Sequence, residues 1–187
     1  MSTRPTRDYN PRTDMLYVSC KSFYRFMDSE CGLKGPEWVS EICHLTINFS
    51  QTDRGLSLPF ALVRLASLET LSIVYLGLSR TFVYGTAIEP LEKDAELRRL
   101  TEEGLARISV TADSRYDTWA DELPVRWATN GVDHLRGVRK RLDRECRPLE
   151  LGDALPSWNH ELQRLGIRFE ARYFAPLTVG AKFHPIT

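Results

Sequence analysis

The stretch from Cys43 to Leu76 constrains the fold more than any other part of this chain. It reads CHLTINFS, a turn, LPFALVRLASL and then ETLSIVYL, which is strand, helix, strand. The first strand alternates, with Cys43, Leu45, Ile47 and Phe49 on one face and His44, Thr46, Asn48 and Ser50 on the other. A period of two marks a strand with one face in the core. A helix between two strands makes them parallel, joined by a right-handed crossover. The helix is expected to start near Ser57 with Pro59 in its first turn. Phe60 and Val63, with Leu62 and Ala66, would face the sheet, and Leu71, Ile73 and Tyr75 would repeat along the second strand.

The flanking segments extend this unit. DMLYVS, from Asp14 to Ser19, reads as a short buried strand, and KSFYRFMDSE as a helix carrying Phe23, Phe26 and Met27. Trp38 and Ile42 lie four apart in a short turn opened by Pro36, and residues 81–86 suit a short strand or a loop. Pro90 opens LEKDAELRRLTEE, read as a helix that Gly104 ends, with Asp94/Arg98 and Arg99/Glu103 pairing on its exposed side. ARISVTA alternates again, with Ile108 and Val110 on one face. The segment 113–165 is expected to be mostly helical, broken at Pro124. Its apolar stripe is Val132, Leu135, Leu142 and Cys146, and a last helix, WNHELQRL, would be capped by Ser157. IRFEARYF closes the pattern as an alternating strand, Phe169, Ala171 and Tyr173 against Arg168, Glu170 and Arg172. The expected fold class is α/β (or α+β). It has a mixed sheet of about five strands, a βαβ crossover, helices mainly on one face and a helical distal segment. Residues 1–13 read as a flexible lead-in and 14–187 as one domain.

Composition narrows the function classes. Lysine and arginine total 25 and aspartate and glutamate 25, so no excess positive charge exists for phosphate backbones or anionic lipid surfaces. The expectation is therefore no nucleic acid and no membrane among the partners. Cys20, Cys31, Cys43 and Cys146 fall in no zinc-like spacing, and no Gly-rich phosphate loop or G-x-S-x-G elbow is present. No metal and no cofactor are expected. MSTRPTRDYNPRT has no apolar core of a secretory signal, which leads to a reduced, cytoplasmic protein.

Asn10-Pro11, Asp14-Met15-Leu16-Tyr17, the strand from Ile42 to Ile47 and the junction from Leu65 to Ile73 together resemble the distal part of the fungal two-EXR domain family. The Leu65–Ile73 pattern also resembles F-box-associated leucine-rich segments. The likeness covers about the first 85 residues. It implies a fungal origin and an α/β fold, and it brings no catalytic residues. The two Glu-x-x-Arg motifs that name the family are not found at the corresponding place; Glu96 to Arg99 has the spacing but lies downstream.

Candidate chemistry rests on the polar strand faces. His44, with an ordinary pKa near 6.5, can act as an acid or base beside Thr46 and Asn48. If the face of Arg168, Glu170 and Arg172 borders that of His44, the two rows could line a polar-floored cleft; a solvated sheet face is the alternative. Asp133-His134 and His160-Glu161 are adjacent on helices as read here, so their side chains diverge. Aromatic residues, among them Trp119, Trp127 and Tyr173, could wall such a cleft. The expected function is a small-molecule pocket protein, with an apolar ligand as partner. It extends to a cofactor-independent enzyme that cyclises or isomerises an apolar fungal secondary metabolite by holding one conformer. His44 and Arg172 would be its catalytic groups, and Thr46, Asn48, Arg168, Glu170, Tyr173, Trp119 and Trp127 its substrate contacts. The alternative is a non-catalytic protein-interaction module or effector-like protein.

Overall fold

The computed structural model describes residues 10–19, 23, 26, 37–52, 57–75, 82–83, 95–112, 127–147 and 155–176. The crossover forms as its pattern requires. Strand β2 (His44–Asn48) leads through helix α1 (Ser57–Arg64) to β3 (Thr70–Val74), and the two strands pair in parallel. Strand β1 (Leu16–Val18) joins the outer side of β2, also in parallel. On the other side β3 pairs in parallel with a strand from the far end of the chain, Arg168–Pro176. That strand in turn pairs antiparallel with Ala95–Arg99 at the sheet edge. In chain order the remaining elements are β4 (Phe82–Val83), β5 (Ala95–Arg99), α2 (Glu102–Ala106), β6 (Ser109–Ala112), β7 (Trp127–Asn130), α3 (Gly131–Cys146), β8 (Trp158–Asn159), β9 (Arg164–Leu165) and β10 (Arg168–Pro176). The main sheet is therefore β1-β2-β3-β10-β5, a five-stranded mixed sheet in an α/β fold. β4, β6 and β7 form a second, smaller sheet.

Register sorts the side chains into two faces. Leu45, Leu71 and Phe169 align across three strands, as do Ile47, Ile73 and Ala171. Helices α1 and α3 touch one another, and α3 lies against β10. Leu45, Leu71, Ile47 and Ile73 are fully buried within the core cluster, to which Leu62, Val138 and Leu142 also belong. On the opposite face Thr46, Ser72 and Glu170 align, followed by Asn48, Val74 and Arg172. The sheet curls about that face. Tyr17 of β1 and Phe174 of β10 stand three strand spacings apart, roughly 14 Å in a flat sheet. Their rings nevertheless meet edge to face at 5.1 Å.

Several expectations are corrected. Residues 95–99 are a strand, and the helix beyond them is short, running Glu102–Ala106 through Gly104. The edge of β10 offers backbone groups that need partners, and pairing them outweighs the modest helix preference of AELRR. Glu96 and Arg98 bond two residues apart at 3.2 Å, a geometry natural on a strand. WNHELQRL is a hairpin of β8 and β9. Trp158 and Leu165 are buried across it while Leu162 is exposed. Asn159 Oδ1 accepts from Leu162 N, and Gln163 adopts φ 51°, so the turn closes on local side-chain bonds. Helix α1 buries Leu58, Ala61 and Leu62, with Leu65 buried just past its end, and leaves Phe60 exposed. Those buried positions follow the i, i+3, i+4, i+7 stripe of a helix. Of the helix read over KSFYRFMDSE, Phe23 and Phe26 are described and helical; Met27 lies outside the described residues. Within 113–165, the described residues hold one long helix flanked by β7 and this hairpin.

Candidate functional site

The polar face of the sheet is mostly closed. Thr46, Asn48 and Ser72 are fully buried, so they line no open cleft. Thr46 Oγ1 has no hydrogen-bond partner among the described residues. His44 stands at the start of β2, half-buried, with Nε2 donating to the Arg12 carbonyl at 3.0 Å. Arg168 shares its sheet register with Thr70 and His44 but reaches along its own strand to Glu170, 3.8 Å away. Glu170 is buried and gathers Arg172 at 2.9 Å, Arg99 at 3.7 Å and Arg168. Arg172 also donates through Nε to Ser72 Oγ at 3.2 Å. The structure thus brings Arg168, Glu170 and Arg172 together as an ion-pair cluster and leaves His44 on the Arg12 backbone. Tyr173 points to the opposite face, half-buried. The backbone of Trp127 belongs to β7; its side chain, and all of Trp119, lie outside the described residues.

A second polar group sits inside the core. The Tyr75 hydroxyl lies 2.8 Å from His134 Nδ1, and the Phe49 ring is tilted against the imidazole with centroids 4.6 Å apart. Burial pushes His134 down to about 4 and raises the Tyr75 hydroxyl far above its ordinary value, so both are neutral across physiological pH. Asp133 turns away from His134. It receives Asn130 Nδ2 and pairs with Arg136 at 2.8 Å, while its N–H donates to Asn130 Oδ1. That is the cap of α3.

The open concavity with the chemistry of a ligand site lies elsewhere, between α2, α3 and the β5–β10 edge. It measures about 310 Å³, at the lower end of the range for small-molecule pockets. Leu100, Leu105, Val132, Leu135 and Phe169 supply apolar lining, and Arg99, Glu102, Arg136 and Arg139 the charged groups. Arg139 stacks over the Phe169 ring, its guanidinium carbon 5.6 Å from the centroid. Thr101 caps α2 by accepting from Gly104 N at 3.1 Å, which sets Leu105 toward α3. Of the residues expected as substrate contacts, Glu170 alone borders this pocket. The signal for the rest was legible: Val132, Leu135, Arg136 and Arg139 form a second helical stripe beside the core stripe of His134, Val138 and Leu142. A larger hollow of about 560 Å³ lies between Ala66–Glu69 and the β8–β9 hairpin, walled mainly by polar groups including Ser67, Glu69, Asn159 and Arg168.

Among the described residues, no group of three or more His, Cys, Asp or Glu is placed to hold a metal ion. No helix among them is long and apolar enough to cross a membrane. Comparison with known proteins adds no relative: no family model matches the chain, and neither a curated protein nor a solved structure matches it.

Proposed function

We propose that the protein binds a small, largely apolar molecule in the pocket between α2, α3 and β10. The observation that carries this reading is an apolar lining of Leu100, Leu105, Val132, Leu135 and Phe169 in a hollow of about 310 Å³, open to solvent and edged by arginines. Binding ranks ahead of conversion because His44 and Arg172, the groups expected to be catalytic, are held by the Arg12 carbonyl and by Glu170 with Ser72. Cyclisation or isomerisation would then be an extension of binding, through the conformer the pocket selects. The likeness to the two-EXR family enters for the fold and a fungal source only. Cys43 and Cys146, both free and buried, suit a reducing compartment such as the cytoplasm.

The test is calorimetric titration with the neutral probe methyl octanoate. The native protein is expected to bind it, and Leu135→Trp, which fills the hollow, to bind it at least tenfold more weakly. No heat of binding to the native protein, or equal affinity for both proteins, overturns the reading.

A further inference from the structure

Resting on that pocket, we infer that its ligand carries a single carboxylate, held by Arg139, on an apolar body of about ten non-hydrogen atoms in all. The charges around the hollow are unequal. Among the residues that line it, Arg99, Arg136 and Arg139 stand against Glu102 and Glu170, which leaves one positive charge in excess. Most of these cations are already committed. Arg136 pairs with Asp133, and Arg99, Arg168 and Arg172 share Glu170. Arg139 differs: among the described residues it has no carboxylate partner, only the face of Phe169.

A guanidinium fixed on an aromatic ring keeps its donor edges free, and a planar fork of N–H groups matches a carboxylate in two bonds. Partial burial makes such a pair stronger than one in open water. One unpaired guanidinium suits one negative charge. A dianionic phosphate would bring a second negative charge toward Glu102 in the same lining, so the site favours the monoanion. The apolar wall of Leu105, Val132 and Leu135 takes the body of the ligand. At roughly 30 Å³ per water-sized group, the hollow holds about ten such groups. An eight-carbon monocarboxylate has that size.

The experiment compares sodium octanoate, methyl octanoate and octyl phosphate by calorimetry against the native protein, Arg139→Gln and Arg139→Lys, with thermal melts to establish folding. The expected result has octanoate at least tenfold tighter than its methyl ester on the native protein. Arg139→Gln should abolish that preference while still binding the ester, and Arg139→Lys should keep part of it. Equal affinity for acid and ester overturns the carboxylate assignment and leaves the pocket standing. Tighter binding of octyl phosphate overturns the choice of a monoanion. A preference that survives in folded Arg139→Gln overturns the role of Arg139. Absence of binding by all three probes removes the pocket reading and this inference together.

Discussion

His134 is the residue whose chemistry departs most from its sequence appearance. On the helix it is one polar letter among charged neighbours, yet it is buried between Phe49 and Tyr75. Its folded value of about 4 lies below the ordinary 6.5. The neutral ring therefore contributes stability that is fully present above pH 6.5 and is lost as pH falls toward 4. Between pH 7 and pH 5 that loss amounts to about 2 kcal/mol. Urea unfolding at the two pH values should show the native protein losing about that much more than His134→Phe, which cannot titrate there. An equal loss in both proteins would mean that His134 is hydrated in the folded state. Glu170 also reads differently once placed. In sequence it alternates with two arginines; in the fold a third, Arg99, arrives from β5. The sequence disclosed the alternation and not the partner, because the pairing of β5 with β10 joins segments some seventy residues apart.

At the scale of elements, the close approach of α2 and α3 shapes the pocket. Gly131 begins α3, and its N–H donates to the Ile108 carbonyl at 2.9 Å. A methyl group at Gly131 would stand 2.6 Å from both the Leu105 carbonyl oxygen and Leu105 Cδ1. The carbonyl is backbone and cannot swing aside, so Gly131→Ala should cost about 1–3 kcal/mol. Because Leu105 lines the pocket, the same change should weaken methyl octanoate binding. Chemical denaturation and the titration described above read the two effects. Unchanged stability would show that α2 yields freely to α3. Elements with strong periodicity were legible: β2, β3 and β10 stand where alternation put them, and of the stripe read on α3 Leu142 and Cys146 are core, whereas Val132 and Leu135 are half-buried and line the pocket. β5 and the β8–β9 hairpin were not, since AELRR and WNHELQRL carry helix-forming residues. Edge pairing with β10 and a side-chain-closed turn outweigh that preference.

For the whole molecule, the curl of the main sheet decides what is available for chemistry. It buries Thr46, Asn48 and Ser72 within the concave face, while the open hollow lies on the side of α2 and α3. Tyr17 and Phe174, from strands that are not neighbours, meet across that face. A double-mutant cycle with Tyr17→Ala and Phe174→Ala should give a coupling of about 0.5–1.5 kcal/mol. Zero coupling would mean that the rings do not close the curl in solution. By itself, the sequence determined the crossover of β2, α1 and β3, the α/β class and the alternation of the two strands that carry the polar rows. Those follow from local periods of two and 3.6, which side-chain burial alone enforces. Only the tertiary structure decided that β10 lies beside β3, that β5 seals its edge, that the polar face closes on itself and that Arg139 is left facing an apolar hollow. Each of these depends on contacts between distant segments, and no local pattern encodes which edge a strand will join or how far a sheet will curl.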